Sequence, residues 1–439
     1  MKRFWLILLS LGLVMAFSVS ALAVDVKMSG EYFAAGMYLS NTNVNDESTK
    51  GATANQSTAF FYQRLRVGTD FIVSPGLKLV TRFDAMERIW GGARTESSST
   101  AADSYATASE NENIAVDWAY VDYVSPIGTF DVGIMNYGAT GTIFGNSSKP
   151  AARIKYKYSK APFTIGVDYS KITDNSYSAV NNSADWTDGD KDVYGIEGTY
   201  QWKDGKAGMK INYYRYADKK PASDYLKTYY LFTPYATAKI GPVALQAEFN
   251  YATGKDKKYD NGTGDVRMDQ ISAWVDATAT FAPFYVGASI AYIAGDDSET
   301  PEKEGGTLTG GNDWNPCLIL FNYYDVGNWV GTMYGYNGTQ VTGPMANAIF
   351  TQGRVGVKPV PALDAMLSVS YAKADEVMYS GQDKDYGWEV DLTGTYKITN
   401  NLSYMLGVGY LFTGDYFKAG YGDDVNDDYV IMNKLTLTF

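Results

Sequence analysis

The chain contains no histidine and a single cysteine, Cys317. Imidazole is the side chain that titrates near neutrality, and triad hydrolases depend on it. Its absence excludes the histidine-dependent proteases, phospholipases and deacylases. Histidine zinc sites are excluded with them, and one thiol cannot replace the missing ligands. Cys317 has no partner for an internal disulfide, and its neighbours Leu318, Ile319 and Leu320 predict a buried thiol. Beyond the first two dozen residues no run of ~20 apolar residues occurs, so no spanning helix is expected. Basic residues are also scarce: 37 Lys and Arg against 49 Asp and Glu give a formal charge of −12. A nucleic-acid binder would show a basic stripe, so that class is set aside. No Walker loop is present, and the Gly-x-Gly pairs lie in predicted strands or turns.

The N-terminus carries Lys2 and Arg3, an apolar run from Phe4 to Val19, and Ala21-Leu22-Ala23. This is the pattern of a secretory signal peptide, residues 1–23, with cleavage expected after Ala23. Loss of Lys2 and Arg3 with it takes the formal charge from −12 to −14.

The remaining chain, 24–439, alternates short and long connections. The short ones are Ser74-Pro75-Gly76, Ser125 to Gly128, Lys160-Ala161-Pro162, Lys203-Asp204-Gly205, Ile240-Gly241-Pro242, Phe281-Ala282-Pro283, Pro359-Val360-Pro361 and Thr399-Asn400-Asn401. Between them lie pairs of strand-length segments joined by polar, Gly-, Ser- and Asp-rich loops. A transmembrane β-barrel sorts its connections this way, with short periplasmic turns and long outer loops. The predicted fold is therefore all-β, one antiparallel transmembrane barrel of about eighteen strands. Pro234 inside the run 226–240 predicts a bulge there; if that segment is no strand, the count becomes sixteen. Period two supports strands: Phe163, Ile165, Val167 and Tyr169 share one face, with Thr164, Asp168 and Ser170 on the other. The apolar face is expected toward lipid and the polar face toward a wet lumen. Tyrosine, with 37 copies, suits the aromatic girdles of such barrels.

With apolar positions outward, a basic arc turns inward: Arg64, Arg66, Lys78, Arg82, Arg88, Arg153, Lys155 and Lys157. Asp70 and Asp84 turn inward within the arc, and Glu248, Glu389 and Asp391 turn inward opposite it, so the far wall is the more acidic. Opposed walls would set a transverse field on passing solutes; the plainer alternative is that these charges solvate the lumen and pair with one another. The longest loop, about 295–345, includes the apolar stretch Asp313 to Phe321. It is expected to fold over or into the mouth and narrow it, with Trp314, Asn315, Pro316, Leu318 and Phe321 at the constriction; a subunit contact or outer cap is the alternative. The acidic clusters Asp256, Asp260, Asp265 and Asp423, Asp424, Asp427, Asp428 lack EF-hand spacing and are read as solvated loops, so no metal or cofactor is expected.

The last strand, Tyr429 to Phe439, is amphipathic and closes on a terminal Phe. It resembles the recognition signal of bacterial outer-membrane barrels, which implies delivery to the barrel-assembly machinery by way of Phe439. Together with the leader and loop pattern, the chain resembles a Gram-negative outer-membrane porin. The stretch Phe61-Tyr62-Gln63-Arg64-Leu65-Arg66-Val67-Gly68-Thr69-Asp70-Phe71 is similar to opening strands of porins in sulfate-reducing and related bacteria. That resemblance implies a homotrimer set among outer-membrane lipid and lipopolysaccharide. Eighteen strands look more like substrate-selective channels. In general porins the loop between the fifth and sixth strands constricts the pore; here that loop, Gly138 to Lys149, is short and uncharged before Lys149, which argues against the role. The expected function is passive diffusion of ions and small hydrophilic solutes, without enzymatic activity. The alternatives are a selective channel for a sugar, organic anion or polysaccharide, and a structural or adhesive barrel with a plugged lumen.

Overall fold

The computed structural model describes residues 24–46, 57–91, 114–175, 189–220, 225–262, 264–421 and 424–439. The leader expected at 1–23, and Asp423, lie outside these residues. Eighteen strands form one sheet: β1 (Asp25–Leu39), β2 (Thr58–Ser74), β3 (Leu77–Ile89), β4 (Ile114–Ser125), β5 (Gly128–Asn136), β6 (Pro150–Lys160), β7 (Phe163–Thr173), β8 (Lys191–Trp202), β9 (Gly205–Tyr216), β10 (Tyr225–Ile240), β11 (Val243–Tyr259), β12 (Val266–Phe281), β13 (Phe284–Ile293), β14 (Ala348–Val360), β15 (Leu363–Ala374), β16 (Asp385–Lys397), β17 (Leu402–Thr413) and β18 (Asp428–Thr438). Every strand pairs antiparallel with its chain neighbours, and β1 pairs with β18, so the sheet has no free edge. In a bilayer that closure satisfies the ladder donors and acceptors water cannot reach.

The turns follow from their residues. Between β2 and β3, Gly76 adopts φ +79°, and a Cβ there would approach the Val124 carbonyl oxygen to 2.8 Å. Only glycine takes that conformation without steric cost. At β10 the sequence expectation needs correcting. Pro234 sits in register opposite Met209, and Phe232–Tyr251 and Tyr235–Glu248 keep equal spacing across it. Proline removes one donor but inserts no residue, so no bulge forms; the irregularity lies at Leu226/Thr228 instead.

Alternation places Val121, Val132, Ile154, Ile165, Ile196, Val275, Val286, Leu367 and Leu406 outward and exposed, an apolar belt around the barrel. Aromatic rings rim it. Toward the long-loop end Tyr169, Tyr194, Tyr213 and Tyr230 form a rung across four strands, with centroids 5.2, 6.3 and 5.0 Å apart. Toward the short-turn end Phe163, Tyr200 and Trp202 stack in the same way. Among the described residues no helix is long and apolar enough to cross a membrane.

A second apolar core lies inside. Phe33, Ala35, Met37 and Leu39 of β1, Tyr62 of β2, Trp274 of β12, Phe350 of β14, Ala372 of β15, Leu411 of β17 and Met432 of β18 turn inward. They bury against Trp314, Cys317, Ile319, Leu320, Phe321, Val326 and Trp329 of the long β13–β14 loop. Half of the barrel is packed solid while the opposite arc, β2–β9, keeps its polar face.

Candidate functional site

The β13–β14 loop is held inside by named contacts. Leu318 lies against β17, where Cβ atoms at Gly407 and Gly409 would come within 3.2 and 3.0 Å of it. These glycines, on the predicted polar face, make room for the loop. Pro316 offers its carbonyl to Gln352 Nε2 at 2.7 Å, and the Asn315 carboxamide accepts the amides of Tyr323 and Tyr324. Asn322 caps the single helical turn Tyr323–Gly327 by accepting from Asp325 N and Val326 N. Trp314 meets Phe350 edge-on at 5.8 Å, and Phe321, at φ +60°, packs on Tyr386 at 5.4 Å. All five residues expected at a constriction thus sit within the barrel.

The shorter β5–β6 loop, against the sequence reading, also folds inward. Phe144 is fully buried, stacked on Trp274 at 5.8 Å and edge-on to Trp314 at 5.1 Å. Its lack of charge, which argued against an inward role, is what allows it to enter this core.

Three acidic residues assigned to the far wall face inward but are covered. Glu389 is fully buried and accepts the amides of Ile319 and Leu320, both at 2.7 Å. Asp391 is 3% exposed, with Ser368 donating at 3.4 Å. Glu248 is 5% exposed and accepts the amide and hydroxyl of Thr142 in the β5–β6 loop at 3.2 and 2.7 Å. Each glutamate anchors an inward loop, because a buried carboxylate finds its hydrogen bonds in backbone N–H groups that need acceptors. Cys317, Glu389 and Asp391 bring their ligand atoms within 4.8 Å of one another, the donor set of a thiophilic cation. The loop amides already occupy Glu389, so the cluster is accounted for as an anchor.

The basic arc is a ladder of ion pairs. Arg66 grips Asp84 through two bonds of 2.7 and 2.6 Å and reaches Asp117 at 3.5 Å. Arg82 binds Asp117 at 2.8 Å and lies 3.6 Å over the Trp118 ring. Lys78 pairs with Asp70 at 2.7 Å. Arg153 shares Asp168 with Lys210, at 2.9 and 3.3 Å. Arg64 is buried beneath the long loop, bonded to the Tyr324 hydroxyl and 3.5 Å from Glu31. Lys155 and Lys157 share the inward face of Arg153, and Lys157 is exposed. Arg88 is a correction: Met86, at φ +53°, puts a bulge between Gln63 and Leu65, pairing Arg88 with Gln63 on the outer face. The inserted residue flips the alternation on which the inward assignment rested. In the acidic loop clusters Asp256 pairs with Lys227, Asp260 with Lys220 and Asp424 with Lys418, whereas Asp427 accepts the Thr413 amide and buried Asp428 the Asn41 amide. Asp415 and Asp424 raise the Lys418 pKa accordingly.

Sequence reasoning missed a group of tyrosines. Tyr214 and Tyr229 stack at 4.4 Å with a 5° interplanar angle, and Tyr216 stands edge-on to both. They line an internal cavity of about 270 Å³ together with Tyr137. The signal was available: β9 and β10 alternate so that Tyr214, Tyr216 and Tyr229 share the inward, otherwise polar, face.

No family model and no curated protein matches the chain. Solved structures do. OccK2 (OpdF) of Pseudomonas aeruginosa, solved with glucuronate, is 10% identical over 94% of this chain and 97% of its own, with a TM-score of 0.53. OccK8 (OprE) of the same organism is 12% identical over 94% and 98%, TM-score 0.53. OpdK, an outer membrane protein of the same organism, solved with vanillate, is 11% identical over 94% and 99%, TM-score 0.53. At these identities the shared property is the fold, a closed β-barrel.

Proposed function

We propose that the chain is a passive outer-membrane channel for ions and small hydrophilic solutes. One observation carries this reading: the inward charges of the β2–β6 arc keep contact with solvent although two loops fill the opposite half. The side chains of Arg66, Lys78 and Asp70 are 29, 34 and 33% exposed, and Lys157 is exposed. A charged wall beside a packed insert leaves a wet, narrowed passage in which paired residues of both signs act on solutes at close range. Trp314, Asn315, Pro316, Leu318 and Phe321 then belong to the insert that narrows it.

This is transport without catalysis. The protein resides in outer-membrane lipid and lipopolysaccharide, reaches it through the barrel-assembly machinery by Phe439, and assembles as a homotrimer like the porins of sulfate-reducing bacteria that its second strand resembles. A selective channel is the second reading, favoured by two loops rather than one folding inward. Purified protein in a planar bilayer tests both. Steady conductance supports the channel, saturable reduction of current by one solute supports selectivity, and silence would sink both in favour of a plugged structural barrel.

A further inference from the structure

The tyrosine-lined cavity lies between the inner wall of β9–β11 and the two inward loops. Tyr137, Tyr214, Tyr216, Tyr229, Asn250 and Thr307 line it. A lobe of about 80 Å³ shares Tyr137, Tyr214 and Asn250 and extends to Asn212 and Thr233.

Three properties define what would fit. First, the rings are fixed: the Tyr214–Tyr229 stack and the perpendicular Tyr216 hold one another, over a floor of Ala252, Met268 and Leu308. Second, the polar groups are unspent. Among the described residues the hydroxyls of Tyr137, Tyr216 and Tyr229 have no hydrogen-bond partner in the protein, and Asn212 Oδ1 is buried without one. Phenol hydroxyls both donate and accept, and a buried carboxamide oxygen lacking a donor is costly to leave so. Third, the nearby charges are engaged. Lys227 is bound to Asp256 and to Thr307, at 2.9 and 2.8 Å, and Glu248 is held by Thr142 and Asn250. Lys149 alone remains, exposed at the margin.

We propose that this cavity is a subsite for a neutral monosaccharide or similar cyclic polyol. Such a ligand carries several hydroxyls that donate and accept in turn, and apolar ring C–H faces that tolerate an aromatic lining. A carboxylate ligand would find a single unengaged cation, Lys149 at the margin, and none among the tyrosines, and an apolar one would strand the phenols. The volume lies near the lower end of small-molecule sites, roughly 300–1,000 Å³. The proposal rests on the channel reading and names what that channel takes.

The test uses the full mature protein by two routes. In planar bilayers, D-glucose, D-galactose and D-glucuronate are titrated against potassium chloride current. In detergent solution, binding of labelled glucose is measured by equilibrium dialysis. A neutral hexose is expected to reduce current saturably and to bind in dialysis. Tyr216→Phe and Tyr137→Phe, which keep the ring and lose only the hydroxyl, should each weaken binding about 3- to 10-fold, while Lys160→Ala, exposed at the β6–β7 turn, leaves it unchanged. Heat-modified migration on gels checks that each variant is folded. A conducting channel that neither hexose affects, with no dialysis binding, overturns the subsite and leaves the channel standing. Dialysis binding without conductance upholds the subsite and refutes the channel. Binding indifferent to both phenylalanine variants, or confined to glucuronate, overturns the proposal.

Discussion

Glu389 Oε2 accepts the backbone N–H of Leu320 at 2.7 Å, and the companion oxygen takes Ile319 at the same distance. Glu389, Ile319 and Leu320 are all fully buried, so Glu389→Ala should cost about 1–3 kcal/mol for each donor left unpaired. Urea unfolding should show the loss, and channel recordings should show larger, noisier currents as the long loop loosens.

Cys317, the only thiol, belongs to the same loop and is 3% exposed. Burial pushes its pKa well above the usual range, and the nearby Glu389 and Asp391 carboxylates push it further. The thiolate is the reactive form, so the native protein should resist maleimide for hours. Glu389→Ala should label at a rate that tracks its conductance. Rapid labelling of the native protein would mean the loop is not seated as described.

Charge reversal should divide the arc in two. Lys78→Glu with Lys157→Glu alters exposed or part-exposed positions and should shift the reversal potential toward cations. Arg64→Glu replaces a cation that is 6% exposed, beside Glu31, Glu87 and Tyr324. It should reduce the yield of folded barrel instead, because it buries an unpaired charge. An unchanged potential in the double variant would remove the arc from selectivity.

Trp314 joins the two inward loops through Phe144 and touches the wall at Trp274 and Phe350. Trp314→Ala should cost about 3–5 kcal/mol. Limited proteolysis should then cut both the β5–β6 and β13–β14 loops, whereas a tryptophan merely resting on its own loop would expose only the second.

Phe439 exchanges two main-chain hydrogen bonds with Gly30, at 2.8 and 3.0 Å, and a Cβ at Gly30 would come within 2.5 Å of its ring. Deleting Phe439 should lower the amount of barrel assembled in cells while refolding into detergent micelles is retained. Gly30→Val should impair both. That contrast separates recognition of the last residue from its part in closing the sheet.

Strand number, order and turn positions were readable because each rests on local chemistry: alternation in segments such as β7, and Pro, Gly or Asn at the turns. The same alternation placed Arg66, Lys78 and Lys157 on the inner face. It failed for Arg88 because a bulge carries no sequence mark beyond an unremarkable Met86. For Glu248 and Glu389 it found the face but not the environment, since polarity says which way a side chain points and not what covers it. The glycines Gly407 and Gly409, and the apolar inward residues Phe33, Met37 and Leu39, held that information. An inward apolar residue in a wet barrel requires something to pack on it.

The filled half of the barrel therefore presents two dry faces, one to lipid and one to the inserted loops. Where β1 and β14 to β18 pack against the inserted loops, a new polar side chain has nowhere wet to turn, whichever way the strand points it. Divergence between descendants of this gene is thereby channelled into the outer connections and the charged arc. Two such descendants could differ widely in what they admit while sharing nearly the same inserted core.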